Sequence, residues 1–166
     1  MLLVLLLSSI LVLLFELIFL IVNASGMHWA LHVLLLLYGI IGIIISVIKC
    51  VGNYRYNMMI EYEELGLKYL NGNGVKKDYN LAYNYFLKSS KYGSLESTHK
   101  IGYMYDQGLG FKQNFSNAYN WYLKAANRGY AKSQNAVGNM MENGEGVKKD
   151  LIKALDWYIL AADQGN

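Results

Sequence analysis

The stretch Asn71-Gly72-Asn73-Gly74-Val75-Lys76-Lys77-Asp78 decides the fold, because it returns as Asn143-Gly144-Glu145-Gly146-Val147-Lys148-Lys149-Asp150. A looser copy, Gln107-Gly108-Leu109-Gly110-Phe111-Lys112-Gln113-Asn114, lies midway between them, so the step is 36 residues. Working outward, other positions keep that step: Gly66, Gly102 and Gly138; Ala82, Ala118 and Ala154; Tyr85, Trp121 and Trp157; Gly93, Gly129 and Gly165. A period of this size, with helical texture between the glycines, means stacked supersecondary units rather than one globular core. Such arrays present extended surfaces, which points the function toward recognition.

Each unit reads as two helices joined by the glycine loop. In the second unit, residues 97–107 form helix A with Ile101 and Tyr105 on its inner face. Residues 115–128 form helix B, in which Ala118, Tyr119, Tyr122 and Ala125 follow a three-to-four spacing. Asp78, Asn114 and Asp150 precede each helix B, where their side chains can accept from the exposed amides of the first turn. The loops imitate a phosphate cradle, but no strand precedes them and neither nucleotide-binding pattern is met. Gly66, Gly102 and Gly138 lie inside helix A, where glycine costs about 1 kcal/mol relative to alanine. Their recurrence against that cost predicts a close approach of helix B, helped by the small residues at 82, 118 and 154. The large aromatics Tyr69, Tyr105, Phe86, Tyr122 and Tyr158 are expected to fill the space between layers.

The first third is different in kind. Residues 1–48 contain no lysine or arginine and a single carboxylate, Glu16. Two apolar runs, 2–22 and 31–51, each approach the roughly 20 residues that carry a helix across a bilayer. The expected architecture is all-α: two membrane helices at the N-terminus, then a short α-solenoid of about three 36-residue helix pairs. The domain reading is 1–30 for the first apolar helix and a short loop, 31–60 for the second helix and a juxtamembrane linker, and 61–166 for the array. The array divides into 61–96, 97–132 and 133–166. Val22-Asn23-Ala24 offers the small residues of a signal cleavage site, but the run is long and lacks a basic leader, which favours an uncleaved helix. Lys49 and Arg55 directly follow the second run, so the bias of positive charge toward the inner side places the array in the cytoplasm.

Several activities are set aside by composition. A net charge of +3 with no basic stripe gives no basis for nucleic-acid binding. The single cysteine, Cys50, cannot build a disulfide framework or a zinc site. His28 and His32 share a helical face, yet no third ligand accompanies them, and two imidazoles beside Trp29 suit a membrane boundary better. His99 is the sole histidine of the array, and no nucleophile is paired with a base in any recognisable motif. Enzymatic activity is therefore not expected; the reading names no catalytic residue, no cofactor and no metal.

The pattern Leu65-Gly66, Tyr69, Gly72-x-Gly74-Val75, Lys77-Asp78-Tyr79, Ala82, Phe86 and Gly93 resembles the Sel-one-like repeat family, as does Gly144-x-Gly146-Val147-Lys148-Lys149-Asp150 with Ala154-Leu155-x-Trp157-Tyr158 and Ala161-Ala162. The resemblance covers residues 61–166. It implies a right-handed superhelix of antiparallel helix pairs, related to tetratricopeptide solenoids and used as an adaptor for assembling complexes. Members that work at membranes include components of endoplasmic-reticulum quality control, which suggests that membrane as the setting for a eukaryotic chain. The paired cysteines of the secreted bacterial branch are missing here.

On this reading the protein is a membrane-anchored adaptor or scaffold that binds a protein or peptide; the competing readings are an enzyme with an unrecognised pocket and a structural oligomerisation tail. The lipid bilayer would be met through residues 2–22 and 31–51. Taking Leu65 and Tyr69 as the inner direction of helix A and turning about 100° per residue puts Glu63, Leu67 and Asn71 on the outer face. Their equivalents are His99, Tyr103, Gln107, Asn135, Asn139 and Asn143, positions that vary between units while the inner ones do not. These are the candidate partner-binding residues. The third unit has no helix A after it, and solenoid ends need covering; the expectation is either a partial chain or an end that docks on a partner or on a second copy as an oligomer.

Overall fold

The computed structural model describes residues 12–14, 16–17, 19–20 and 28–164. The chain divides into two units, Met1–Gly52 and Asn53–Asn166. Every described element is helical. They are α1 (His28–Asn71), α2 (Tyr79–Tyr92), α3 (Leu95–Gln107), α4 (Phe115–Ala126), α5 (Ala131–Asn143) and α6 (Leu151–Ala162).

In the first unit, residues 12–14, 16–17 and 19–20 are helical. The remainder of the first apolar run, with the Val22-Asn23-Ala24 cleavage pattern and the loop up to residue 27, lies outside the described residues. Among the described residues one stretch, His32–Asn71 of α1, is long and apolar enough to cross a membrane. Its most apolar 18-residue window has a mean hydropathy of 2.6 and buries none of its residues in the protein. Leu36, Ile43 and Ile48 are each about two-thirds exposed. A helix this apolar on all sides needs an apolar surrounding; length and composition suit a membrane anchor or a signal sequence equally.

The second unit is the repeat array. Residues 53–60, read from sequence as a juxtamembrane linker, are helical and belong to α1. Nothing in Gly52-Asn53-Tyr54-Arg55-Tyr56-Asn57-Met58-Met59-Ile60 stops a helix: the chain has no proline, and the one glycine costs only about 1 kcal/mol. Helix A of the first repeat is thus the C-terminal part of α1, and α2 is its helix B. The second pair is α3 and α4, the third α5 and α6.

All three glycine loops close in the same way. The amides of Asp78, Asn114 and Asp150 donate to the carbonyls of Tyr69, Tyr105 and Met141 at 3.1, 2.9 and 2.9 Å. The same residues then cap helix B as expected, accepting from Leu81, Asn117 and Lys153 amides at 2.9, 2.9 and 3.1 Å. Gly146 shows why the loop keeps its second glycine. Its φ of +68° favours glycine, and an added Cβ would lie 2.3 Å from the carbonyl of Phe115, the first residue of the preceding helix B. Gly110 meets Tyr79 in the same register, with Tyr79 Cβ at 2.7 Å from the built position.

The core consists of two clusters, each spanning neighbouring units. One joins Ala82 and Phe86 to Ile101 and Met104, and the other joins Ala118, Tyr122 and Ala126 to Val137, Met140, Met141 and Ala154. Each cluster buries the face of a helix B against the following helix A. On α4 that face includes Phe115, Tyr119 and Leu123, which pack beside the second cluster. The matching face of α6 carries Leu151, Leu155 and Ile159, each at least half exposed, with Ile152 at 78%. Among the described residues, α6 therefore presents an open apolar face.

Candidate partner-binding face

Helix A has two kinds of outward position, and the structure separates them. Glu63, His99 and Asn135 occupy the first rung and are half-buried. Glu63 accepts hydrogen bonds from the hydroxyls of Ser94 and Ser97, the latter at 3.1 Å. His99 Nδ1 bonds Ser133 Oγ at 3.0 Å, one unit further on. Ser97 and Ser133 are themselves fully buried, so each rung joins one helix A to the next. Two of the sequence candidates, Glu63 and His99, are therefore engaged in holding the array together.

The imidazole of His99 shows the degree of enclosure. Its ring lies 5.0 Å from that of Tyr122 and 5.5 Å from that of Tyr130. Burial, aided by Lys100 and Lys132 against the opposing charge of Glu96, pushes its pKa down to about 4 from 6.5. The ring is neutral at physiological pH.

Leu67 is also partly inward, packed beside the cluster of Phe86 and Met104. The exposed candidates are Tyr103 and Gln107 on α3, with Asn139 and Asn143 on α5. Asn139 accepts from Asn143 Nδ2 at 3.1 Å across one helical turn. Gln107 donates to Asp106 at 3.0 Å. Tyr103, 41% exposed, is the large amphipathic side chain of this strip. The strip thus offers one aromatic surface beside three side-chain amides, each able to donate and accept. Its chemistry suits the backbone and polar side chains of another polypeptide. The amides can hydrogen-bond such a segment, and a half-exposed tyrosine is a common anchor at interfaces.

The Sel1 repeat family model matches residues 62–94, 95–130 and 131–166, three consecutive copies. The chain belongs to the Sel1 repeat family. Among solved structures, it is similar to c5321, a protective antigen of uropathogenic Escherichia coli with this fold, at 34% identity and a TM-score of 0.63. The match covers 65% of this chain and 23% of that one, so this chain spans under a quarter of its length. A Sel1 repeat protein from Oxalobacter formigenes is similar at 40% identity and a TM-score of 0.59, covering 63% of this chain and 79% of that one. The cysteine-rich protein B of Helicobacter pylori shares the fold at 20% identity and a TM-score of 0.56, over 70% and 92% of the two chains. No curated protein matches the sequence. Sel1 repeat proteins generally mediate protein–protein interaction and typically serve as non-enzymatic scaffolds.

Proposed function

We propose that this protein is a membrane-anchored adaptor that binds a protein or peptide segment along the strip of Tyr103, Gln107, Asn139 and Asn143. The observation that carries the reading is the division of helix A positions. The first rung is used for internal bonds, whereas the next two rungs of α3 and α5 stay exposed. Asn135, half-buried at the first rung of α5, borders the strip. A role in assembly or quality control of membrane complexes fits an adaptor held beside a bilayer.

The strip is tested with the full chain carrying Tyr103→Ala and Asn139→Ala together. Affinity capture should fall roughly tenfold, the loss expected from one aromatic anchor and one hydrogen-bonding amide, while the melting temperature holds. Undiminished capture would move the partner site to the open face of α6, where a partner helix or a second copy would cover Leu151, Leu155 and Ile159 and account for an oligomer.

We assign the array to the cytoplasmic side, with α1 through Val51 as the anchor and, in a eukaryotic cell, the endoplasmic-reticulum membrane as one setting. The support is Lys49 at the end of the apolar run and Arg55 just beyond it, which bias that end inward. An epitope placed after Asn166 should be digested in sealed microsomes without detergent. Protection until detergent is added would put the array on the lumenal side instead.

A further inference from the structure

A cavity of about 450 Å³ lies between α1 and α2 within the second unit, lined by Arg55, Tyr62, Lys88, Lys91 and Tyr92. Three of its five walls are cations and none is a carboxylate. None of the three takes part in an ion pair among the described residues. Lys88 instead holds its ammonium 5.3 Å above the ring of Tyr62 and 5.5 Å above that of Tyr85. Tyr62 stacks on Tyr92 with centroids 5.8 Å apart, which fixes the aromatic wall. The nearby acids do not fill the cation site: Glu63 is occupied by Ser94 and Ser97, and Glu61, which acts on the Tyr62 hydroxyl, is not among the lining residues.

The repeat itself supplies a comparison. Residues that the scaffold requires return every 36 positions, as the loop glycines and the alanines of helix B do. The cavity residues do not return as a group. Tyr62 is followed by Thr98 and Gln134, and Lys91 by Asn127 and Asp163. Lys88 is followed by Lys124 and then Leu160. Packing of a helix pair thus proceeds without this cation group, and its members repel one another unless an anion lies between them.

We propose that this cavity is a binding site for a phosphate-bearing anion, with Arg55 and the two lysines as its charged contacts and the Tyr62–Tyr92 wall as its apolar side. An arginine fork with two mobile ammonium groups matches a tetrahedral oxyanion. Its place in the sequence favours a phospholipid headgroup as the source, since Arg55 lies four residues beyond Val51 at the end of the apolar run. That source rests on the membrane-anchor reading; the anion site does not, because soluble phosphate could occupy it equally.

The test uses the full chain in an uncharged maltoside detergent, beside two doubly substituted variants. Lys88→Gln with Lys91→Gln removes cavity charge, and Lys76→Gln with Lys112→Gln removes exposed lysines elsewhere. Three probes are compared at matched ionic strength: phosphatidylglycerol doped into the micelles, phosphatidylcholine doped likewise, and inorganic phosphate. Lipid retained in native mass spectrometry and the melting temperature are the readouts. The expected result is retention of phosphatidylglycerol over phosphatidylcholine, weakened roughly tenfold or more by the cavity variant and unchanged by the control variant. Equal protection by inorganic phosphate, lost in the same variant, would sustain the site and assign it to a soluble ligand. If no probe separates the native chain from the cavity variant, or if the control loses as much, the proposal is overturned. A lumenal array in the protease experiment would remove the cytoplasmic assignment and leave the inorganic-phosphate arm intact.

Discussion

Replacing Gly102 by leucine is expected to lower the stability of the array by roughly 3 kcal/mol or more, enough to remove much of the margin of a small domain. A Cβ built on Gly102 would lie 2.6 Å from Tyr122 Cδ1 and 2.8 Å from Cε1. Tyr122 is 4% exposed and packed in the core, so its ring can shift only by displacing its neighbours. The gain of about 1 kcal/mol in helix propensity on leaving glycine is too small to offset that overlap. The same pairing recurs in each unit, with Phe86 ring atoms 2.5 Å from a Cβ at Gly66 and Tyr158 ring atoms 2.8 Å from one at Gly138. Asn139→Leu, on the exposed strip of α5, is the control and should change stability by no more than about 0.5 kcal/mol. Chemical denaturation of the two variants decides the matter: equal losses would show that the glycine has no packing role. Adding Tyr122→Ala to Gly102→Leu should recover part of the loss, because the leucine then occupies space the ring has left.

This case also shows how far the sequence could be read. The period exposed the helix-pair array, the caps at Asp78, Asn114 and Asp150, and the close approach at the buried glycines. It did not identify the atoms that make the approach. The small residues Ala82, Ala118 and Ala154 are buried as expected, but the groups seated on the glycines are the aromatic rings four residues later, at 86, 122 and 158. Those rings were visible in the sequence as interlayer aromatics, and only the fold joins the two observations.

The boundary of the first helix was illegible for a local reason. A helix start is announced by a cap or a breaker; Gly52, Asn53 and Asn57 offer such signals, but the helix runs through them, so helix A of the first repeat extends backward into the apolar run as α1. The bonds that Glu63 and His99 make to the adjoining unit were hidden for a different reason. A helical wheel assumes one buried side, whereas helix A in an array also touches the helix A of the adjoining unit. Ser97 and Ser133, small hydroxyls at the 36-residue step, were the available signal that this second contact exists. The cation cavity left no such signal, because Arg55 and Lys88 are distant in sequence and the group as a whole does not follow the period.

The contact of His99 gives the second large expectation, a loss of stability on mild acidification. In the unfolded chain this imidazole titrates near 6.5, and in the fold burial holds it down to about 4. A histidine whose folded pKa is depressed contributes its full stabilisation above 6.5, where both states are neutral, and loses it as the pH falls toward 4. Between pH 7 and 5 the unfolded state takes up a proton that the folded state refuses. The linkage amounts to about 2 kcal/mol over that interval. Carboxylates contribute little there, although the Asp150 carboxyl, lowered by its cap bonds to Lys153, adds a loss of the same sign at lower pH. His99→Gln separates the effect, since a glutamine can still bond Ser133 but takes up no proton. Urea denaturation of both chains at pH 7 and pH 5 should show the native protein losing about 2 kcal/mol more than the variant. Parallel losses would mean that the imidazole is open to water, and His99 would return to the list of residues free to meet a partner.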